Sequence, residues 1–457
     1  MNKNMLEIGG VSVEQLAKSC QTPLYIYDEE KISTKLAQFH DLFQSDALET
    51  EVLYASKAFT CKALLELVKQ HGLSLDVVSG GELYVAKQAD FPMERVYFHG
   101  NNKSYEELQM ALSYGVGTIV VDNAMECELL VQVAKQSGHS VKALLRVNPG
   151  VEAHTHKYIV TAHLDSKFGT SITHKEEIAH MVQTLSAIPN IHFEGFHSHI
   201  GSQIFDANAY VAEIQTLMKF VYELQEEYQI QTKALNLGGG FAAYYTAEDK
   251  PIPLSEVCST ILDTCSMEKE RYQLPLCKVM IEPGRSIVAE AGSTLYRVGF
   301  TKQTANKKYV FVDGGMSDNI RPALYQAAYA CDLANRMNEE KCEKVTIAGK
   351  CCESGDILIE DVMLPHAQRN DLLILYTTGA YGYSMASNYN RLGRPAVVFV
   401  KNGKARIVVK RESYEDMCMM ECDELANCSK DGAERGINTG ARTWSWSSRT
   451  AGFSRER

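Results

Sequence analysis

Eight short apolar runs alternate with longer helical stretches between residues 52 and 284, and no other feature constrains the fold as much. The runs cover 52–57, 73–79, 95–100, 118–123, 143–149, 192–201, 234–240 and 278–284. Between them, stretches such as 62–71, 104–114, 124–136 and 209–228 repeat apolar residues at the spacing of one helical face. A strand that feeds a helix and then another strand crosses over to a parallel neighbour. Eight such units predict a (β/α)8 TIM-like barrel of the α/β class. Past residue 291 the texture changes. Extended patterns follow at 294–300, 309–313, 344–348, 357–360 and 372–377, and 396–400 and 405–409 flank Asn402-Gly403, a strong hairpin signal. Pro23-Leu24-Tyr25-Ile26-Tyr27 is a further strand ahead of the barrel. The expected organisation is an N-terminal strand segment (1–30) joining a C-terminal all-β domain (287–417), a barrel between them (31–286), and a tail from 418 to 457.

Composition narrows the class of partner. An apolar share of 45% and a charged share of 23% are those of an ordinary soluble enzyme. The net charge of −11 comes with no basic stripe and speaks against nucleic acid. No apolar stretch reaches the length of a membrane span. The opening Met1-Asn2-Lys3-Asn4-Met5-Leu6-Glu7 lacks the apolar core of an export signal, so a cytoplasmic protein is expected. The 13 cysteines include no Cys-x-x-Cys pair and read as reduced thiols, with only Cys351-Cys352 standing out.

Barrels carry their chemistry where the strands end. The first run closes on Lys57, and the second brings Asp76 and, past Gly80-Gly81, Glu82. The fifth ends in Arg146-Val147-Asn148-Pro149, and the sixth carries His197 and His199 before Gly201-Ser202. The seventh ends in Gly238-Gly239-Gly240 and the eighth in Glu282-Pro283-Gly284-Arg285. An ammonium at the end of a buried strand is costly as architecture, and desolvation there favours the neutral, nucleophilic amine. Consecutive glycines let backbone N–H groups approach an anion, so this loop, Gly284 and the Ser202 hydroxyl form an expected phosphate cup. A carboxylate beside such a cup suits a protonated ring nitrogen, and a flat imidazole suits stacking on the ring. Lysine, cup, imidazole and acid together describe pyridoxal 5′-phosphate. The rival is a metal-dependent hydrolase built on His197-x-His199. Further ligands do not show at the other rim positions, His154 and His156 bring no carboxylate pattern, and no metal is expected.

With these motifs the chain resembles the fold type III, alanine-racemase-like pyridoxal-phosphate decarboxylases, and among them the diaminopimelate decarboxylases. The resemblance runs from about residue 20 to 416. It rests on Tyr54-Ala55-Ser56-Lys57-Ala58, His197-Ser198-His199-Ile200-Gly201-Ser202, Gly238-Gly239-Gly240-Phe241, Glu282-Pro283-Gly284-Arg285-Ser286, Arg321-Pro322-Ala323-Leu324-Tyr325, Cys352-Glu353-Ser354-Gly355-Asp356 and the segment 380–390. It implies that Lys57 carries the cofactor as an imine and that His199 stacks on its ring. Ser202, Gly239, Gly240, Gly284 and Arg285 would contact the cofactor, with Glu282 on the ring nitrogen. Arg285, Arg321 and Tyr325 would hold a substrate carboxylate, Glu353 the distal amine, and Tyr381 both cofactor and substrate. Cys352 would be the proton donor, reaching the site of the neighbouring subunit in a homodimer. The implied reaction converts meso-2,6-diaminopimelate to L-lysine and CO2, the last step of lysine synthesis. Two planar arginine forks suit a diacid.

Other readings make different demands. A sister decarboxylase acting on ornithine, arginine or a carboxylated polyamine is expected to carry an acid near 319–325. A racemase-like enzyme would set arginine, not Glu282, against the ring nitrogen. A non-catalytic cofactor-binding relative would lose Lys57 or Cys352. The chain departs from the family after Arg411-Glu412-Ser413-Tyr414-Glu415-Asp416. The stretch from 418, with Trp444 and Trp446 among Ser, Thr, Gly and Arg, has no periodicity and is expected to be disordered and unrelated to catalysis.

Overall fold

The eight runs form eight strands, and the residues that carry chemistry sit at their carboxyl ends or in the turns just beyond. A first strand, β1 (Leu24–Asp28), precedes them and leads into helix α1 (Glu29–Leu42), whose first N–H groups bond to the Asp28 side chain. The barrel strands are β2 (Glu49–Ala55), β3 (Ser74–Val77), β4 (Val96–Phe98), β5 (Thr118–Val121), β6 (Val141–Asn148), β7 (Ile191–His197), β8 (Ala234–Asn236) and β9 (Lys278–Ile281). They pair in parallel in the order β7-β8-β9-β2-β3-β4-β5-β6, and β6 against β7 closes the ring. This is the expected TIM-like barrel. Lys57 lies in the 3-10 turn Ser56–Ala58 that follows β2, and Gly238–Gly240 and Glu282 lie in loops. The structure is a computed structural model that describes residues 4–151 and 166–421. His154, His156, Trp444, Trp446 and the tail beyond 421 lie outside the described residues.

Alternation along the strands decides what fills the barrel. Leu53, Tyr97, Val120, Leu144, Ala234 and Met280, one from each of six strands, pack on one another as an interior layer. The larger apolar cluster, including Tyr54, Leu75, Phe98, Ile119, Leu145, Leu235 and Ile281, packs outside the barrel. Two residues beyond the inner layer toward the carboxyl rim come Ala55, His99, Asp122, Arg146, Asn236 and Glu282. One strand shows the rule in full: β9 places Lys278 at the amino end, Met280 in the layer, and Glu282 just past its carboxyl end.

The second sheet comprises β10 (Gly292–Gln303), β11 (Lys308–Val312), β12 (Cys331–Leu333), β13 (Glu343–Ala348), β14 (Ile357–Leu364), β15 (Leu372–Leu375), β16 (Ala396–Lys401) and β17 (Lys404–Val409). Its order is β14-β13-β11-β10-β1-β16-β17, with β15 on β10 and β12 on β15. β1 does join this sheet, antiparallel to β10 and parallel to β16. The β16–β17 hairpin turns at Asn402 (φ 51°) and Gly403 (φ 73°), as the Asn-Gly signal requires. β12, three residues long, has no counterpart in the sequence reading. Barrel and sheet fall in the unit that ends at Glu412. Ser413 opens a second unit, whose short helix Tyr414–Cys418 is capped by the Ser413 side chain. Among the described residues no helix is long and apolar enough to cross a membrane.

Candidate active site

The carboxyl rim brings Lys57, His199, Ser202, Glu282, Arg285 and Tyr381 around one cavity, together with Gly239, Gly240 and Gly284. Two of the glycines are forced by space. A Cβ on Gly239 would stand 2.4 Å from the carbonyl oxygen of Glu282. Gly240 has φ +100°, and a Cβ there would lie 2.5 Å from Ile204 Cδ1. The Gly239 N–H donates to Nδ1 of His199 (3.2 Å), which fixes that ring beside the loop. Burial, then the positive charges of Lys57 and Arg146, hold His199 well below its ordinary pKa, so the imidazole is neutral.

Lys57 departs from the sequence expectation. Burial does oppose its charge, but Asp76, with Tyr381 and Glu282, outweighs that and holds the ammonium above its ordinary value. The side chain is also exposed at the cavity, which lightens the desolvation that the strand-end argument relied on. Lys57 is a cation here and must lose a proton before it can act as a nucleophile.

Two buried carboxylates face this cation, and their surroundings drive them apart. Asn236 Nδ2 donates to Oε1 of Glu282 (2.7 Å), and Nε2 of His197 lies 3.2 Å from Oε2. Nε2 of His99 is 2.9 Å from Oε1, out of line with its N–H direction, so that contact is electrostatic. Burial alone would raise Glu282; His99 and His197 outweigh it and hold the carboxyl well below its usual range. His197, fully enclosed, is itself pushed down to about 4 and serves as a neutral N–H donor. Asp76 goes the other way. Burial raises it, and His99 (Nε2 3.7 Å from Oδ1) and Lys57 offset that only in part; Oδ1 has no hydrogen-bond partner, and the group is pushed up to about 6.

Beside the cup two guanidinium groups meet. Arg285 donates to Ser202 Oγ (Nη2, 3.0 Å) and to the Tyr245 hydroxyl (Nη1, 2.7 Å). Arg321, only 8% exposed, donates to the hydroxyls of Tyr245 and Tyr329, each at 3.1 Å. Both guanidinium carbons lie over the Tyr381 ring, at 4.8 and 5.9 Å from its centroid. These hydrogen bonds go to hydroxyls and leave both charges to attract an anion. Tyr381 adopts φ +60°, a conformation costly for its type, and its N–H bonds to Ala58 O (2.7 Å), tying it to the Lys57 turn.

Four expected residues do not line this cavity: Arg321 stands beside it, stacked near Tyr381, and three lie farther out. Tyr325 is 61% exposed, and Cys352 and Glu353 are exposed on a separate loop. There the Cys352 N–H donates to Asn390 Oδ1 (2.6 Å), and the Tyr389 hydroxyl lies 3.5 Å from Glu353 Oε2. Cys351 and Cys352 are both free thiols, the first buried. The sequence reading missed His99, Asn236, Tyr245 and Tyr329. Strand parity could have found the first two, since each lies two residues past an inner-layer residue, Tyr97 or Ala234. It also held that His197 has no further donors at the rim, whereas His99 and Glu282 stand with it, their donor atoms within 4.8 Å of one another. The separations are those of direct contact between the three. His199 is not part of that group.

The residues fit pyridoxal phosphate: an amine, a glycine cradle no Cβ could share, a neutral imidazole and a buried carboxylate held ionised. Comparison agrees. Residues 29–289 match the family described as pyridoxal-dependent decarboxylase, pyridoxal binding domain. The chain is 51% identical to the diaminopimelate decarboxylase of Bacillus subtilis, over 91% of this chain and 95% of that one. With its counterpart in Staphylococcus aureus it shares 45% identity, over 90% and 96%. Among solved structures, the diaminopimelate decarboxylase of M. jannaschii in complex with L-lysine superposes with a TM-score of 0.86 at 33% identity, covering 92% of this chain and 97% of that one. The chain belongs to the pyridoxal-dependent decarboxylases, in the branch of the diaminopimelate decarboxylases.

Proposed function

We propose that this protein decarboxylates meso-2,6-diaminopimelate to L-lysine and CO2 with pyridoxal 5′-phosphate as cofactor, closing lysine biosynthesis in the cytoplasm. The observation that carries the reading is the convergence of Lys57, neutral His199, ionised Glu282 and the Gly239–Gly240 cradle on one cavity with two arginines beside it. When bound, the cofactor supplies the electron sink that takes up the bond pair as CO2 leaves. The chain's own groups do the rest. Lys57 offers the amine that holds the carbonyl, and Asp76, pushed up to about 6 and the strongest negative charge acting on Lys57, is the base placed to take its proton. Gly239, Gly240, Gly284 and Ser202 would cradle the cofactor's phosphate, His199 would support its ring, and Glu282 would keep a proton on its ring nitrogen. Arg285 and Arg321, backed by Tyr245, Tyr329 and Tyr381, bind a carboxylate of the substrate.

Cys352 is assigned the return of a proton to the reacting carbon, with Glu353 on the distal amine and Tyr325 on the substrate carboxylate. All three are exposed and outside the cavity of their own chain. That placement suits a homodimer in which each copy completes the other's site. Asp318, the acid next to 319–325, is buried and accepts from the Gly315 N–H (2.9 Å), so it is poorly placed to receive the free amine of ornithine. The test is direct. Purified protein given pyridoxal phosphate and meso-diaminopimelate should release CO2 and L-lysine in equal amounts, while ornithine and arginine should not react. Turnover of ornithine in place of diaminopimelate would overturn the substrate.

A further inference from the structure

His197 is singled out by the sequence, and the proposed mechanism leaves it without a task. Its ring meets that of His99 edge to face, centroids 4.8 Å apart at 75°. Between them they address both oxygens of Glu282, at 3.2 and 2.9 Å, and Asn236 adds a hydrogen bond of 2.7 Å. All four residues are buried. Asn236 is fixed in turn, because its Oδ1 accepts the Gly238 N–H (3.0 Å) of the glycine loop.

We propose that His99 and His197 are positioning residues acting through Glu282: with Asn236 they fix its orientation and keep it ionised, and so keep the proton on the ring nitrogen of bound pyridoxal phosphate. The inference rests on the cofactor reading above. Asp76 offers a partial internal control: it is equally buried and His99 also faces it, but only at 3.7 Å from Oδ1; neither His197 nor Asn236 bonds to that oxygen, and the group shifts in the opposite direction. Nδ1 of His197 has no partner, which an imidazole carrying its proton on Nε2 tolerates as an unused lone pair. The other charged or titratable groups facing Glu282 are Lys57, Arg146, His199 and Asp76, with Glu213 behind. Lys57 and Arg146 favour its ionised form, and the two acids oppose it. The histidines decide the balance because, among the described residues, only they and Asn236 touch its oxygens.

The test uses the holoenzyme with His99→Leu, His197→Leu and His197→Gln, each alone and combined with Glu282→Gln. Readouts are the visible absorption of bound cofactor against pH, the cofactor dissociation constant, and kcat and KM separately. The leucine variants should keep KM within about two-fold, lose kcat by roughly 10–100-fold, and move the acidic limb of both the spectral and activity profiles up by about one pH unit. His197→Gln, which keeps an N–H near the same point, should recover most of the loss. In the Glu282→Gln background the histidine changes should add less than about two-fold. A leucine variant that does not fold is replaced by the asparagine variant, which draws the N–H back from Glu282 and should show the same shift. Unmoved acidic limbs, or a full loss that persists beside Glu282→Gln, would overturn the proposal. So would one equivalent of zinc in cofactor-free wild type, which would make the pair ligands instead. Wild type that never develops a cofactor band would defeat the cofactor reading itself, a different failure.

Discussion

The two ends of the barrel bury similar side chains to opposite effect. At the amino end Glu51 accepts from Ser74 Oγ, from the Tyr97 hydroxyl (2.7 Å) and from Lys278 (2.5 Å), so every neighbour finds a partner. Burial would raise Glu51, but Lys278 and these hydrogen bonds outweigh it and lower it. At the carboxyl end Asp76 Oδ1 and His197 Nδ1 are buried without hydrogen-bond partners, and Asp76 is pushed up to about 6. The same strands run through both: β3 contributes Ser74 to one and Asp76 to the other, and β9 gives Lys278 to one with Glu282 just past its end in the other. An ionic plug that satisfies itself stabilises; a set of groups left partly unsatisfied waits for a ligand.

Four experiments would break or sharpen that contrast. Lys57→Ala should lower turnover by on the order of 10⁴-fold or more and remove the visible cofactor band, with thermal stability almost unchanged; a large fall in Tm would mean that the carboxyl end is structural as well. Cys352→Ala should keep the band and lose about 10²–10⁴-fold in turnover, and full turnover would end its proton-donor role. Glu51→Gln should leave kcat intact and cost about 2 kcal/mol in urea unfolding at neutral pH, less in acid. Its folded pKa is lowered, so its contribution is present above the unfolded value and disappears as pH falls through the folded one.

Asp76→Asn should do the reverse. The folded pKa of about 6 lies above the ordinary 3.8, so this group's favourable contribution is complete below about pH 4 and is lost as pH rises through 6. The amide should therefore stabilise the cofactor-free protein at pH 8 by about 1–3 kcal/mol and have little effect at pH 4, while activity drops. Destabilisation at pH 8 would erase the distinction between the two ends.

What the sequence disclosed follows the range of each signal. The barrel was legible because strand and helix periods repeat eight times, and the β16–β17 hairpin because Asn402-Gly403 dictates its own turn. Lys57, Glu282 and the glycine loop were legible because rim residues directly follow strands. Tyr245 and Tyr329 were not, since they meet Arg321 only after loops from different parts of the chain come together. The ionisation of Lys57 was misread for a similar reason. The local run shows burial, whereas the compensating charge on Asp76 arrives from the next strand.

The place of β1 has a consequence for synthesis. Leu24 pairs with Leu295 on one side and with Ala396 on the other, so a strand made early is sealed by one of the last. While the barrel emerges from the ribosome, Tyr25 and Tyr27, fully enclosed in the finished sheet, have no sheet to enter. The nascent chain must carry an open apolar edge for most of its translation. Ribosomes arrested before residue 396 should hold chains whose N-terminus is protease-sensitive, and release of the β16–β17 hairpin should protect it.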